Sequence, residues 1–367
     1  MSEKVSLKDK FYGCIAGAHV GAAMGAPVQG RSWQEIDAEH GVLAGLLPYE
    51  NGWMREAGTT ESGVERQKLL IAAITERRDR VTAEDVRAVW VRELQPPAIA
   101  KQMEPYDAGL LAVAGSGIPA RDLGKYCDYA GLNSFSGWCH PVGLINAGDV
   151  KNAIRDAFEL GQLYQASRSY GVKWSGVTAA AVAAATKPGA TIDTVIADLF
   201  TFCDYSDVGA QIDGYKYGYL RDNVIAELDS GLKRTANCTD FRELREAFDR
   251  TYHGCGVPYG NSFSNEVVTK AICIVRMVKA DVHDAIIAGA NMGRDTVSVT
   301  ALAAGISGAI SGASSLPEQL VNQVDRASAL NDYSFTQRTI REQADGLYAA
   351  FQARLQTINN LVEEMLV

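Results

Sequence analysis

The chain has 367 residues, 47% hydrophobic and 22% charged, with a formal net charge of -9. That length supports a sizeable core in one large domain or two ordinary ones. The acidic balance, with no basic stripe along the chain, argues against a nucleic-acid backbone as partner.

The first segment, MSEKVSLKDKFYGCIAGAHV, carries charge and lacks the apolar core of a signal peptide. In GAHVGAAMGAPVQGRS, residues 17–32, glycines at 17, 21 and 25 allow a helix to pack closely on a neighbour, and Pro27 ends it ahead of a loop carrying Gln29 and Gly30. In AGTTESGVERQKLL, residues 57–70, Thr59 or Thr60 can cap the helix that follows. Glu61 then sits in the first turn, where the helix dipole stabilises a carboxylate by roughly 0.3–1 kcal/mol. VERQKLLIAAITERRD alternates apolar and charged faces at helical period, and Thr82 with Asp85 three residues on marks the next helix start.

Beyond it, DVKNAIRDAFELGQLYQAS begins at a cap-like Asp149, WSGVTAAAVAAAT is Ala-rich and stops at Lys187-Pro188-Gly189, and TIDTVIADLFTFC has its own Thr191 cap. Further helices are predicted over 208–230, 239–249, 264–278, 281–290, 295–312 and 316–329, and over 335–366 with near-heptad apolar spacing. No clear pair of alternating strands joined by a turn is read from the sequence, so the predicted class is all-α. No window of about 18 apolar residues exists to span a bilayer. Seven cysteines, at 14, 127, 139, 203, 238, 255 and 273, form no CxxC pair. They read as reduced thiols in a cytoplasmic protein. The expected organisation is one compact domain over 1–330, with ALNDYSFT as the best break. An amphipathic helix over 331–367 then packs on that domain or on a partner subunit, making a homodimer the oligomeric expectation.

NMGRDTVSVTALAAGISGAISG, residues 291–312, places Asn291, Arg294, Asp295 and Thr296 at the start of a helix whose body is too small-sided to be an ordinary amphipathic one. A cap explains Asp295, with Ser298 three residues on along the same side. It does not explain the arginine.

The order GCIAGAHVGAAMGAPVQG, GTTESG, HPVGLINAG leading to AIRDAFELGQLY, and GRDT before ALAAGISGAISG resembles the ADP-ribosylglycohydrolase family over roughly residues 8–328. The resemblance implies an all-α domain with a binuclear magnesium site in a cleft and hydrolysis of N- or O-glycosidic bonds at C1 of a ribose. Some relatives, such as jellyfish lens crystallins, lack that activity. The family's T-E-D-G (elsewhere T-D-D-T) becomes Thr60-Glu61-Ser62-Gly63 here. Its G-x-D-T-D-T/C becomes Gly293-Arg294-Asp295-Thr296-Val297-Ser298, and its G-D-A-x-G-x-P-x-E carries Ala22 for the Asp and Gln29 for the Glu. Carboxylates are thus absent at 22, 29, 62 and 297, while Glu61 and Asp295 stay.

A magnesium pair needs about six oxygen ligands per ion and several carboxylates to offset its charge, so no metal is expected. If a single Mg²⁺ is kept, Glu61 and Asp295 hold it, helped by Thr60 and Ser298. The expected catalytic residues are Glu61 and Asp295, as general base for water or as stabilisers of an oxocarbenium-like centre. The expected substrate contacts are Gln29, Thr60, Ser62, Tyr106, Trp138, His140, Asn291, Arg294 and Ser298, around a small molecule and with neither nucleic acid nor membrane as partner. His140 also reads as a hydrogen-bonded loop residue, and Trp138, Tyr106 and Tyr259 as either stacking or packing side chains. Two functions follow: an enzyme acting on a ribosyl, nucleoside-like or other substrate with reduced or no magnesium dependence, or a non-catalytic relative that binds a ligand or serves a structural role.

Overall fold

The computed structural model describes residues 5–93, 105–126, 131–167, 169–204, 224–252, 262–331 and 338–366. Their helices in chain order are α1 Leu7–Gly25, α2 Trp33–His40, α3 Ser62–Arg77, α4 Ala83–Glu93, α5 Pro105–Ala114, α6 His140–Ile145, α7 Val150–Gly161, α8 Tyr170–Ala185 and α9 Ile192–Phe202. The series continues with α10 Val224–Arg234, α11 Phe241–Asp249, α12 Ser264–Met277, α13 Val282–Ala290, α14 Thr296–Ser311, α15 Glu318–Leu330 and α16 Ile340–Met365. The all-α class therefore holds. Of the helix expected over 208–230, only the part from 224 lies within the described residues.

The correction is one short antiparallel pair, β1 Tyr49–Asn51 with β2 Trp53–Arg55, turning at Gly52 with a φ of 74°. The sequence held the signal: Asn51-Gly52 between aromatic residues is a strong hairpin pattern.

Capping residues account for most helix starts. Asp149, Thr191, Asp240, Asp281, Asp295 and Thr339 each accept from a backbone N–H in the first turn of the helix they precede, and Thr82 and Asp85 form the expected capping box. The α3 start differs. Glu61, not Thr59 or Thr60, is the N-cap residue, and its side chain makes no capping bond.

The core forms around α1, α8 and α14, which are buried on almost every side, as expected of helices with no polar face. α1 and α14 run against each other over most of their length. Glycines at 13, 17, 21 and 25 on α1 meet the α14 backbone so closely that a Cβ at Gly17 would lie 2.5 Å from the Ala304 carbonyl oxygen. The first half of α16 packs on α1, α3 and α6 through Ile340, Ala344, Leu347 and Phe351. There Arg354 donates to the Ile145 carbonyl at 2.6 Å and to Asn146 Oδ1 at 2.9 Å. No described helix is long and apolar enough to cross a membrane.

Candidate functional site

Two turns meet at one end of the α1–α14 pair. The Arg294 N–H donates to the Arg31 carbonyl at 2.6 Å, and the Gly30 N–H donates to the Arg294 carbonyl at 2.8 Å. Arg294 itself sits at a φ of 66°, in the left-handed region. This stapling sets Gln29 beside the first turn of α14.

Asp295 is buried, yet every hydrogen bond it receives comes from a neutral donor. Its Oδ1 accepts from the Ser298 N–H at 3.0 Å and from Gln29 Nε2 at 3.2 Å. Its Oδ2 accepts from Asn133 Nδ2 at 2.7 Å. Gln29 Oε1 accepts in turn from the Val297 N–H at 3.0 Å. An amide is suited to this place because it donates to one neighbour and accepts from another. A glutamate at 29 would turn an acceptor towards Asp295. Asn133 is fixed by its own backbone, its N–H donating to the Ser262 carbonyl at 3.0 Å, next to a bridge between Leu132 and Phe263.

The hairpin supplies the second corner. It carries Arg55, which is almost fully buried, against α3, where Nη1 donates to Glu61 Oε2 at 2.8 Å. The guanidinium lies over the Trp53 ring, 4.2 Å from its centroid, and Nη2 donates to the Asn51 carbonyl at 3.3 Å. Asn51 Nδ2 reaches both Glu61 oxygens at 3.3 and 3.4 Å. Glu61 thus faces the cleft as half of an ion pair whose cation is built into the chain. Sequence reading missed Arg55 because it missed the hairpin.

Between these corners the wall is apolar. Val297, Ala22, Ala26, Tyr49, Val64, Trp138 and Ala301 form one packed cluster. Two of the four positions that lack the family carboxylate, 22 and 297, therefore fall in a single hydrophobic patch. Trp138 packs directly against α3: a Cβ at Gly63 would come within 2.0 Å of its ring. The cavity in front measures about 560 Å³ and is lined by Gln29, Tyr49, Asn51, Glu61, Ser62, Arg66, Asn133, Ser134, Trp138, Asp295, Val297 and Ser298. That is within the usual range for small-molecule sites.

Of the residues expected to contact substrate, Gln29, Ser62, Trp138 and Ser298 line this cavity with Glu61 and Asp295, and four others do not. Thr60 is buried and off the lining. Asn291 is fully buried and ties down the loop after α2, exchanging bonds with the Leu43 N–H and carbonyl, both at 2.9 Å. Arg294 turns away to make a bidentate pair with the buried Glu266 at 2.7 and 2.9 Å, where Lys270 also binds at 2.6 Å. His140 is fully buried behind Trp138 and accepts at Nδ1 from Gln67 Nε2 at 2.9 Å. Gln67 Oε1 faces His19 Nε2 at 3.0 Å. The chain His19–Gln67–His140 assigns one tautomer to each ring. Burial holds His19 down to about 3 and His140 down to about 4, with the Lys68 charge a further cause at His19. Both imidazoles are neutral structural groups at physiological pH. Glu65 is likewise spent in a buried pair with Lys68 at 2.7 Å, and Asn146 donates to Asp156 at 2.7 Å. The Tyr106 side chain and Tyr259 lie outside the described residues.

The fit to magnesium is poor. Asp295 is occupied by three donors, Glu61 by Arg55 and Asn51, and position 297 by apolar packing. Among the described residues no three His, Cys, Asp or Glu side chains gather into a metal-binding group. A hard divalent ion needs several free carboxylate or carbonyl oxygens, and this wall offers hydrogen-bond donors in their place.

A comparison with curated proteins returns no match. Among 44 matching chains of solved structures, one described as an "ADP-ribosylglycohydrolase-related protein complex" superposes with a TM-score of 0.62. It covers 95% of this chain and 98% of that one at 14% identity, a likeness that concerns the fold. The family model "ADP-ribosylglycohydrolase" matches residues 3–356. The helical fold, the cleft between the α1 and α14 turns and this near-complete match together establish that the chain belongs to the ADP-ribosylglycohydrolase family.

Proposed function

We propose that this chain is a divergent enzyme of its family, acting in the 560 Å³ cleft on a small ribosyl or nucleoside-like substrate through a cationic, oxocarbenium-like centre, without a magnesium pair. The observation that supports this most is that the cleft is remodelled and still open. Its two remaining carboxylates stand on the lining, each oriented by donors, and of the four positions without the family's acid, 22 and 297 are taken up by apolar packing, 29 by a bridging amide and 62 by a serine on the lining.

In this reading Glu61, the more exposed of the two, accepts a proton from the attacking water. Arg55 and Asn51 orient it. Asp295 places a fixed negative charge on the other side, where it favours a developing cation. Trp138, Tyr49 and Val297 exclude water and present apolar surface to a sugar or base face. The C1 bond to the leaving group breaks as the C1–O bond to water forms, and the proton that Glu61 takes from water passes to the departing nitrogen or oxygen, so the hydrolysis balances.

A second reading, a binder without turnover, has one observation in its favour: Asp295 caps α14, so its charge also serves the fold. One set of measurements separates the two. Thermal shift in the presence of ADP-ribose and nucleosides reports binding by mass action, and product analysis in the same buffer with a chelator reports turnover. The enzyme reading expects a raised melting temperature and chelator-resistant turnover that falls by about 10²-fold in Glu61→Gln. Binding with no turnover supports the second reading. Unchanged turnover in both Glu61→Gln and Asp295→Asn overturns the site assignment.

A further inference from the structure

The last three turns of α16 leave the body of the protein bare. Up to Phe351 the helix is anchored in the core, but from Leu355 onwards its large apolar residues face outwards. Leu355, Ile358, Leu361, Val362, Met365 and Leu366 are 43–82% exposed. The arrangement is patterned. Leu355 and Val362 fall on a positions of a heptad and Ile358 and Met365 on d, while Gln356, Thr357, Asn360, Glu363 and Glu364 fall on the outward b, c and f positions. The family match ends at residue 356, so this seam lies almost wholly beyond what the family model describes.

We propose that residues 355–366 are a dimerisation helix whose occupant is the same helix of a second copy, packed antiparallel. The segment is about 18 Å long. Leu355, Ile358, Leu361, Val362, Met365 and Leu366 of two copies together expose about 1,200 Å², so a symmetric pair that covers them completely reaches the lower edge of a stable specific interface. Two heptads are short for a free coiled coil, but here the helix is already nucleated and held by the Arg354 and Phe351 anchorage, so the ordering cost that limits isolated short helices is largely absent.

Charge disfavours a lipid surface and sets the direction of the pair. The only charged residues in the segment are Glu363 and Glu364. With no Lys or Arg it has nothing to hold an anionic lipid surface, which an interfacial helix needs. A parallel pair would set four carboxylates and two negative helix ends side by side. An antiparallel pair separates them and places Glu363 and Glu364 near uncharged Gln356 and Thr357 of the partner. Leu355 of one copy then meets Met365 of the other, and Ile358 meets Val362.

The test is sedimentation of the full chain across the micromolar range, alongside Ile358→Glu/Val362→Glu. The wild type is expected to sediment as a dimer. The variant is expected to be a monomer with unchanged helical circular dichroism, because both positions are exposed in the monomer. A wild type that stays monomeric, or a variant that stays dimeric, overturns the proposal. Orientation is read by mixing Ile358→Cys and Val362→Cys chains under mild oxidation. The mixed crosslink is expected to dominate, and a dominant Val362→Cys self-crosslink overturns the antiparallel pair.

Discussion

Replacing Val297 with aspartate is expected to lower the stability of the chain by about 4 kcal/mol, although aspartate is what the family pattern carries there. Val297 is almost fully buried among Ala22, Tyr49, Val64, Trp138 and Ala301. Truncating its apolar contacts forfeits roughly 1.5–3 kcal/mol of burial, and desolvating a carboxylate adds a penalty of comparable size. The second position of α14 favours an acid through the helix dipole, but only by roughly 0.3–1 kcal/mol. Asp295 and Gln29 Oε1, which accepts from the Val297 N–H, would both repel the new charge. Urea unfolding of the variant measures the loss, and repeating it in millimolar Mg²⁺ measures rescue. None is expected, since Ala22, Gln29 and Ser62 contribute no carboxylate. Full recovery with magnesium would mean that the frame still holds the ion.

The second large effect lies behind the cleft. Gly17→Ala with Gly21→Ala is expected to cost about 4 kcal/mol in total. A Cβ at Gly17 would sit 2.5 Å from the Ala304 oxygen and one at Gly21 2.7 Å from the Thr300 oxygen. Both obstacles are backbone atoms of α14, so no side chain can turn aside and the two helices must separate. Alanine's better helix propensity recovers only about 1 kcal/mol per site. Gly45→Ala, with nothing within 4 Å of its added Cβ, serves as control and is expected to change stability by less than about 0.5 kcal/mol. Equal melting of the double variant and the control would refute close backbone packing as the reason for this stripe.

Much of the fold was readable because its signals are local. Asp149, Thr191 and Asp295 stand where a capping side chain is needed, and the Gly17, Gly21, Gly25 spacing foretold close packing on a neighbouring helix, which the structure identifies as α14. The cleft was readable through motif order, which carried Gln29, Glu61, Ser62 and Asp295 to the same place. What stayed hidden depends on where long side chains go after folding. Arg294 looked like a ligand contact and pairs with Glu266, 28 residues upstream. Asn291 looked like a polar site residue and is consumed by a loop 248 residues away. Arg55 drew no attention because its hairpin has only three residues per strand, yet it supplies the cation opposite Glu61. Gln29 read as a missing acid, whereas the structure shows an amide joining Asp295 to the Val297 N–H.

The proposal that hydrogen-bond donors stand in place of a metal is the centre of the account, and calorimetric titration of the full chain with Mg²⁺ tests it most directly. The expected result is no saturable binding in the micromolar range, with Asp295 and Glu61 keeping their present partners. Saturable uptake of two ions at micromolar affinity would contradict it.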